Sequence, residues 1–290
     1  MMKITTIQEL RQTISSLKQK NRTIGFVPTM GFLHEGHLSL MQEARKSHDV
    51  VVMSIFVNPL QFGPNEDFDR YPRNMEKDEQ LARDHGVDVL FLPSVEEMYP
   101  EPASVQMKVI ERVNVLCGRT RVGHFDGVAI VVSKLFHLVQ PDVAYFGQKD
   151  AQQVAVIEGL VNDFNFPLTV VSVPTIREED GLAKSSRNVY LSQTEREKAA
   201  YLYQSLLLGK QLIEQGKRNP LEIRQEIILY LEEHTNGMVD YVEIYSYPQL
   251  DSMKELQGKI ILALAVHFQK ARLIDNIIID ISQPGRIHNV

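Results

Sequence analysis

Two histidines, His34 and His37, flank Gly36 in the stretch PTMGFLHEGHLSL, residues 28–40, directly after the apolar run TIGFVP. A helix starting here presents unpaired backbone N–H groups and the positive end of its dipole, a natural seat for phosphate. An imidazole beside that seat can donate a hydrogen bond to a phosphoryl oxygen, and a glycine lets the backbone approach a ligand closely. The same residues also suit a purely local role, with both rings capping or packing the turn. Spacing alone leaves both readings open. Zinc is a weaker rival, because no third ligand is evident.

Three further loops carry polar side chains fit for an anionic ligand. In FVNPLQFGPNEDFDRYPR, residues 56–73, Asn58 and Gln61 can read hydroxyls or a carboxylate without demanding a proton; turn chemistry around Pro59 and Gly63 is the alternative. In YFGQKDAQQV a strand ends at Gly147, and Lys149 and Asp150 follow at the start of a helix. Lysine there opposes the helix dipole, which favours a phosphate-binding role over a capping one; Asp150 suits a ribose hydroxyl, a cation or an N-cap. Gln152 or Gln153 can turn toward the same place. In REEDGLAKSSRNVYLS, Lys184, Ser185, Ser186 and Arg187 offer two charges and two hydroxyls, with Gly181 as a hinge. That composition fits a mobile phosphate-binding loop, although composition alone favours a solvated linker.

The elements that must position these loops alternate in type. Buried strands are expected in TIGFVP, DVVVMSIFVNP, VDVLFLP, DVAYFG and LTVVSVP, and helices at 36–48, in NMEKDEQLARDHG with Gly86 past its end, in DGVAIVVSKLFHLVQ and in AQQVAVIEGLVNDF. Strand and helix in alternation imply βαβ units and a parallel sheet, whose ligands bind at the carboxyl ends of the strands. The turns after Pro28, Asn58, Gly147 and Val173 are those ends. Past about residue 177 the pattern changes. QTEREKAAYLYQSLLLGKQLIEQG reads as a long amphipathic helix capped by its threonine, and NPLEIRQEIILYLEEH as a second. MVDYVEIYSY, KIILALAVHF and ARLIDNIIID then read as three strands of an antiparallel sheet. The expected division is 1–177 and 178–290, with the boundary in the loop at 177–187.

A chain of 290 residues with 43% hydrophobic and 23% charged residues has ample material for a core. Its net charge of −6 argues against a general nucleic-acid binder. The single cysteine, Cys117, forms no internal disulfide and lacks the flanks of a nucleophile, so a small buried side chain is expected. The N-terminus has no apolar signal segment and the longest apolar runs are strand-sized, so a cytoplasmic protein without a membrane span is expected.

HEGH resembles the HxGH signature of nucleotidyltransferases related to class I aminoacyl-tRNA synthetases, and KSSR resembles their mobile loop. PTMGFLHEGH, SIFVNPLQF, GHFDGV, VAYFGQKDAQQ and SSRNVYLS together, in this order, resemble the pantoate–β-alanine ligases over almost the whole chain. The resemblance implies an α/β fold: a Rossmann-like parallel sheet with helices on both faces, plus a smaller C-terminal α+β domain with an antiparallel sheet. It implies an ATP-dependent ligation of pantoate to β-alanine through a pantoyl adenylate, with Mg²⁺ on the phosphates and a homodimeric assembly. The alternative within the superfamily is transfer of a nucleotidyl group to a phosphorylated acceptor, and outside it a nucleotide sensor without turnover.

Residue by residue, the resemblance places Met30, Gly31, Phe32, Leu33, His34, Glu35, Gly36 and His37 around ATP, with His37 as proton donor and His34 and Lys149 beside it at the phosphates. Gly147, Gln148, Lys149 and Asp150 hold the nucleotide, Ile176 lies near the adenine, and Lys184, Ser185, Ser186 and Arg187 close over the triphosphate. Gln61 and Gln153 bind pantoate, with Asn58 alongside. No metal ligand is assigned; Asp78 is a candidate carboxylate near Mg²⁺. Two positions depart from the family: methionine is often expected where Lys184 stands, and an acidic residue near Cys117.

Overall fold

Runs such as VVVMSI cannot face water on either side, and the sheet built from them is covered on both. The computed structural model describes residues 1–64 and 66–282. Asn65, within the loop 56–73, and residues 283–290, at the end of the expected second domain, lie outside the described residues. The chain forms two compact units: Met1–Val113, Gly118–Gln148 and Val156–Val173 make the first, and Asn114–Cys117, Lys149–Ala155 and the chain from Pro174 on make the second.

In chain order the elements up to residue 173 are β1 (Met2–Ile4), α1 (Ile7–Gln19), β2 (Ile24–Thr29), α2 (Glu35–Ser47), β3 (Val50–Ile55), α3 (Met75–Asp84), β4 (Val89–Phe91), α4 (Val95–Met98), α5 (Leu116–Thr120), α6 (His124–Val139), β5 (Val143–Gly147), α7 (Ala151–Asp163) and β6 (Thr169–Val173). The six strands form one sheet in the order β1-β4-β3-β2-β5-β6, parallel throughout. From β2 the sheet grows toward β3 on one side and β5 on the other, so the strand order reverses between β2 and β5. That is the switch point where sheets of this kind leave a crevice for a ligand.

Strand alternation explains the helices on both faces. On β2, Phe26 meets Phe136 of α6 edge to face at 6.5 Å, while Val27 packs with Leu40, Met41 and Ala44 of α2 and Ala82 of α3. All six residues of β3 are buried, as its β-branched run demands. Gly86 ends α3 with φ of 78°, the left-handed conformation that glycine adopts without strain. The sequence pattern misses β1, whose three residues include one buried position and therefore show no period.

The second unit continues with α8 (Gln193–Ala199), α9 (Tyr201–Glu214), α10 (Pro220–His234), β7 (Met238–Ser246), β8 (Lys259–His267) and β9 (Arg272–Asp280). The three strands are antiparallel in the order β7-β8-β9. Ile260, Leu262, Leu264 and Val266 of β8 pack with Leu202 and Leu206 of α9 and Ile223 and Ile227 of α10. Ile261, Ala263 and Ala265 point the other way and pack with Ala151 and Ala155 at the start of α7. A strand covered on both faces needs apolar residues at every position, which is why IILALAV has no polar alternation.

The long helix expected from QTEREKAAYLYQSLLLGKQLIEQG is two helices, α8 and α9, meeting at Ala200. Its cap is Ser192, not Thr194. The Ser192 hydroxyl accepts from the Glu195 N–H at 3.3 Å, and the Glu195 carboxylate accepts from the Ser192 N–H at 2.9 Å. This reciprocal box needs a glutamate three residues past the cap; the glutamate three past Thr194, Glu197, pairs with Gln193 instead. Among the described residues no helix is long and apolar enough to cross a membrane.

Candidate active site

The chain leaves β2 through a turn that a side chain at residue 31 would block. Gly31 has φ of 84°, and a Cβ there would lie 2.8 Å from Ile55 Cγ2. Phe32 follows with φ of 53°. The turn is fastened at two points. The Thr29 hydroxyl donates to the Ser54 carbonyl at 2.9 Å and accepts from the Gly31 N–H at 3.2 Å. The Asp78 carboxylate on α3, 2% exposed, accepts from the N–H of Phe32 at 2.7 Å and of Leu33 at 2.8 Å.

Asp78 therefore engages both its oxygens in shaping the turn that delivers His34. Burial raises its pKa, and the hydrogen bonds from Leu33 and Phe32 and the charge of Lys77 offset this only in part. A native pKa above the unfolded value gives a contribution to stability that is present at acid pH and is lost as pH rises through the native pKa. Urea unfolding of wild type and Asp78→Asn between about pH 3 and pH 6 is expected to show wild type losing ground to the variant as pH rises. A relative gain of wild type with rising pH would show that the two N–H donors dominate instead.

The two histidines do more than follow the turn: they cap α2. His34 is the N-cap, and its Nδ1 accepts from the Gly36 N–H at 3.1 Å. Nδ1 of His37 accepts from the His34 N–H at 3.2 Å. The pair is a capping box made of imidazoles, with ring centroids 4.2 Å apart. Gly36 leaves room for the capping ring: a Cβ there would lie 2.9 Å from His34 Cε1, so the ring would have to shift. An Nδ1 that accepts a hydrogen bond carries no hydrogen, so each neutral ring bears its proton on Nε2. Both rings thus point their donor end away from the backbone they cap.

The loop after β3 is built on Asn58, 1% exposed. Its amide donates to the Gly127 carbonyl at 3.0 Å and to Gln61 Oε1 at 3.1 Å. Its oxygen accepts from the Tyr99 hydroxyl at 2.9 Å and the Leu60 N–H at 3.3 Å. All four hydrogen-bonding positions of Asn58 are engaged within the first unit, so its part is to hold Gln61 rather than to meet a ligand. Gln61, 8% exposed, points its amide at Met30 Sδ, 3.2 Å away. Close approach of α6 completes the loop: a Cβ on Gly127 would lie 2.2 Å from the Leu60 carbonyl oxygen.

Three residues that sequence reasoning passed over fix the Gln61 backbone. His124 Nδ1 donates to the Gln61 carbonyl at 2.7 Å, and Arg121 donates to it at 3.3 Å. Arg121 also donates to His124 Nε2 at 3.1 Å and to both oxygens of Glu66, at 2.7 and 2.5 Å. Burial pushes the Glu66 pKa up, but the hydrogen bond and charge of Arg121 outweigh it and hold the carboxyl below its usual range. The motif GHFDGV contained His124 and Gly127. The tie of His124 to Gln61 spans 63 residues of chain and that of Gly127 to Asn58 spans 69, beyond any local pattern.

Gln148–Asp150 form one 3-10 turn that runs into α7, with Gln148 ending a segment of the first unit and Lys149 and Asp150 opening one of the second. The Lys149 carbonyl accepts from Asn276 Nδ2 of β9 at 2.8 Å. Gln152 is buried, and its amide donates to the Val115 carbonyl at 2.8 Å, whereas Gln153 is half-buried. Residues 176–184 form a tight hairpin: Lys184 N–H donates to the Ile176 carbonyl at 2.9 Å, and Arg177 bridges to Ala183. Gly181, with φ of 92°, makes its turn. Lys184 pairs with Glu178 at 2.9 Å, so the charge that departs from the family's usual methionine is matched within the hairpin. Ser185 caps the 3-10 helix Ser186–Tyr190, accepting from the Arg187 N–H at 3.3 Å. Cys117 is buried, with Sγ 3.4 Å from the Tyr241 hydroxyl.

Each unit thus gathers part of the expected set: Met30, His34, His37, Asn58 and Gln61 at the ends of β2 and β3, with Gly147 ending neighbouring β5, and Lys149 with the 176–187 segment in the other. The family model described as pantoate-beta-alanine ligase matches residues 2–278. A pantothenate synthetase of Geobacillus sp. (strain WCH70) is 60% identical over 277 residues, covering 96% of this chain and 98% of that protein. One from Bacillus pumilus (strain SAFR-032) is 58% identical over 288 residues, covering 98% and 99%. The crystal structure of pantothenate synthetase from Thermus thermophilus superposes with a TM-score of 0.90 at 46% identity, covering 96% of this chain and 99% of that one. A pantoate-beta-alanine ligase from Francisella tularensis, complexed with beta-gamma ATP and beta-alanine, gives 0.77 at 36% identity, covering 95% and 97%. With every motif region inside the matched span and the parallel sheet and its antiparallel companion shared with solved members, the chain belongs to the pantoate–β-alanine ligase family.

Proposed function

We propose that this chain, an ATP-dependent pantoate–β-alanine ligase by its family, works through a pantoyl adenylate on the residues described above. The carboxylate of (R)-pantoate attacks the α-phosphorus of ATP, forming the acyl phosphate bond as pyrophosphate leaves. The amine of β-alanine then attacks the acyl carbon, and AMP leaves with the bonding electrons, giving pantothenate. Little covalent chemistry falls to the protein, so positioning and charge stabilisation carry the rate.

The carrying observation is the pairing of a histidine-capped helix with a buried amide at the switch point of the first unit. The N-terminus of α2 and the Nε2–H groups of His34 and His37 suit phosphoryl oxygens, with His37 as donor to the developing charge. Gln61, beside Met30, suits pantoate; Gln153 joins it and Asn58 holds the loop. Met30, Gly31, Phe32, Leu33, Glu35 and Gly36 line the ATP site. Gly147, Gln148, Lys149 and Asp150 take the nucleotide, Ile176 the adenine, and Lys184, Ser185, Ser186 and Arg187 the triphosphate. In functional terms 1–177 binds substrates and 178–290 acts as a lid.

Among the described residues no group of three or more His, Cys, Asp or Glu side chains is placed to hold a metal, and Asp78 is already engaged by two N–H donors. Mg²⁺ in this proposal arrives with the triphosphate as part of the substrate, and Asp78 shapes the turn rather than binding it. A cytoplasmic homodimer is the form we expect, testable by sedimentation.

The decisive assay is exchange of labelled pyrophosphate into ATP. Exchange is expected with pantoate and absent with phosphorylated acceptors, with AMP released on adding β-alanine. Exchange that needs a phosphorylated acceptor would replace this reading by nucleotidyl transfer, and ATP binding without exchange would make the chain a sensor.

A further inference from the structure

Successive residues of a strand point to opposite faces of its sheet. Asp275 and Asn276 lie mid-strand on β9, and the sheet is covered by α9 on one face and by the start of α7 on the other. Leu273, Ile277 and Ile279 pack into the α9 side, and Ile278 packs with Ala151 and Ala155 on the α7 side. Asp275 shares the first parity and Asn276 the second.

Each reaches a different basic segment. Asp275, 2% exposed, receives two hydrogen bonds from Arg177, Nη1 to Oδ2 at 2.6 Å and Nη2 to Oδ1 at 3.0 Å. Arg177 also donates to the Gly181 carbonyl at 3.1 Å and the Asn276 carbonyl at 3.4 Å, and lies over the Tyr203 ring, 3.6 Å from its centroid. It thereby grips the hairpin that ends in Lys184. Asn276, 6% exposed, sends its amide to the Lys149 carbonyl. Two neighbouring side chains thus fasten, through the thickness of one sheet, the turn bearing Lys149 and the hairpin leading to Arg187.

We infer that Asp275 and Asn276 are positioning residues of the nucleotide site, holding Lys149 and the 176–187 segment in one frame. This rests on the reading of those segments as phosphate-binding. A cation that must meet phosphate oxygens loses its advantage when its backbone shifts by about an ångström. Packing alone does not require an amide at 276, because an aliphatic residue would suit the face shared with Ile278. The amide is explained by the carbonyl it meets, and that carbonyl belongs to Lys149.

The test is a cycle of wild type, Asn276→Ala, Lys149→Ala and the double variant, read by calorimetric ATP binding and by pantoate-dependent pyrophosphate exchange. Asn276→Ala is expected to weaken ATP binding and exchange about tenfold in the wild-type background and less than about twofold once Lys149 is gone. Equal factors in both backgrounds, or no effect in a folded Asn276→Ala protein, would overturn the inference. Asn276→Asp keeps the shape but turns an acceptor toward the Lys149 carbonyl, and is expected to lose at least as much; it decides the matter should the alanine variant not fold. Wild type that binds ATP without pantoate-dependent exchange sinks the ligase reading while the binding cycle still tests this one; wild type that binds no ATP overturns both.

Discussion

His37→Ala is expected to lower kcat about 10²–10³-fold, the loss typical of a donor aimed at developing charge, with the fold retained. The same substitution removes an acceptor from the His34 N–H, and a lost cap costs about 1 kcal/mol of stability. The two effects can be separated by chemistry. Glutamate at the third helical position closes a capping box as well as histidine does, so His37→Glu is expected to hold the melting temperature while losing at least as much turnover, since it turns an anion toward phosphate. His34→Asn restores the best of N-caps but is too short to present a donor where Nε2 stands. If His34 mainly orients phosphate, His34→Asn raises KM for ATP with a smaller fall in kcat, and His37→Ala does the reverse. Single-turnover kinetics of the three variants, with thermal melts beside them, supply the comparison. A folded His37→Glu enzyme with near wild-type turnover would remove His37 from the mechanism.

The histidines also show how far the sequence could be read. Capping and phosphate binding look like rival readings of HEGH, because spacing specifies which residues lie near one another but not which ring nitrogen faces where. In the structure Nδ1 of each ring serves the helix, and that arrangement leaves the proton on Nε2. The capping role is thus compatible with the phosphate role proposed for the same rings. The parallel sheet was legible because β3 and its neighbours are buried on both faces and therefore apolar throughout, and the antiparallel sheet because three strands follow one another without a helix between them. The positioning network was not legible. Asp78 meets Phe32 across 46 residues and Asn276 meets Lys149 across 127, and pairings between distant segments leave no period. Asn58 was legible as a polar residue at a strand's end. Of its four partners, which make it a scaffold for Gln61, Leu60 and Gln61 belong to its own loop, while Tyr99 and Gly127 come from two distant segments of the first unit.

Arg177→Met is expected to destabilise the second unit by about 3–5 kcal/mol, the usual result of leaving one member of a buried ion pair without its counter-charge. Asp275 is almost wholly inaccessible, and the Arg177 side chain is 17% exposed, so water cannot replace the lost partner. The guanidinium also supplies the Gly181 and Asn276 carbonyls and stacks on Tyr203, contacts that methionine's polarisable chain restores only in the last case. Calorimetric melting should fall by roughly 10 °C. Removing both charges, as Arg177→Met with Asp275→Leu, is expected to recover most of the stability, because a well-packed apolar pair is commonly no worse than a buried ionic one. ATP binding should not recover with it. The hairpin would still lack the forked donor that joins Gly181 to β9, and orientation of the segment from Lys184 to Arg187 depends on that fork. A double variant that regains both stability and ATP affinity would show that the ion pair serves folding alone, whereas stability without affinity separates the geometry of the pair from its contribution to the core.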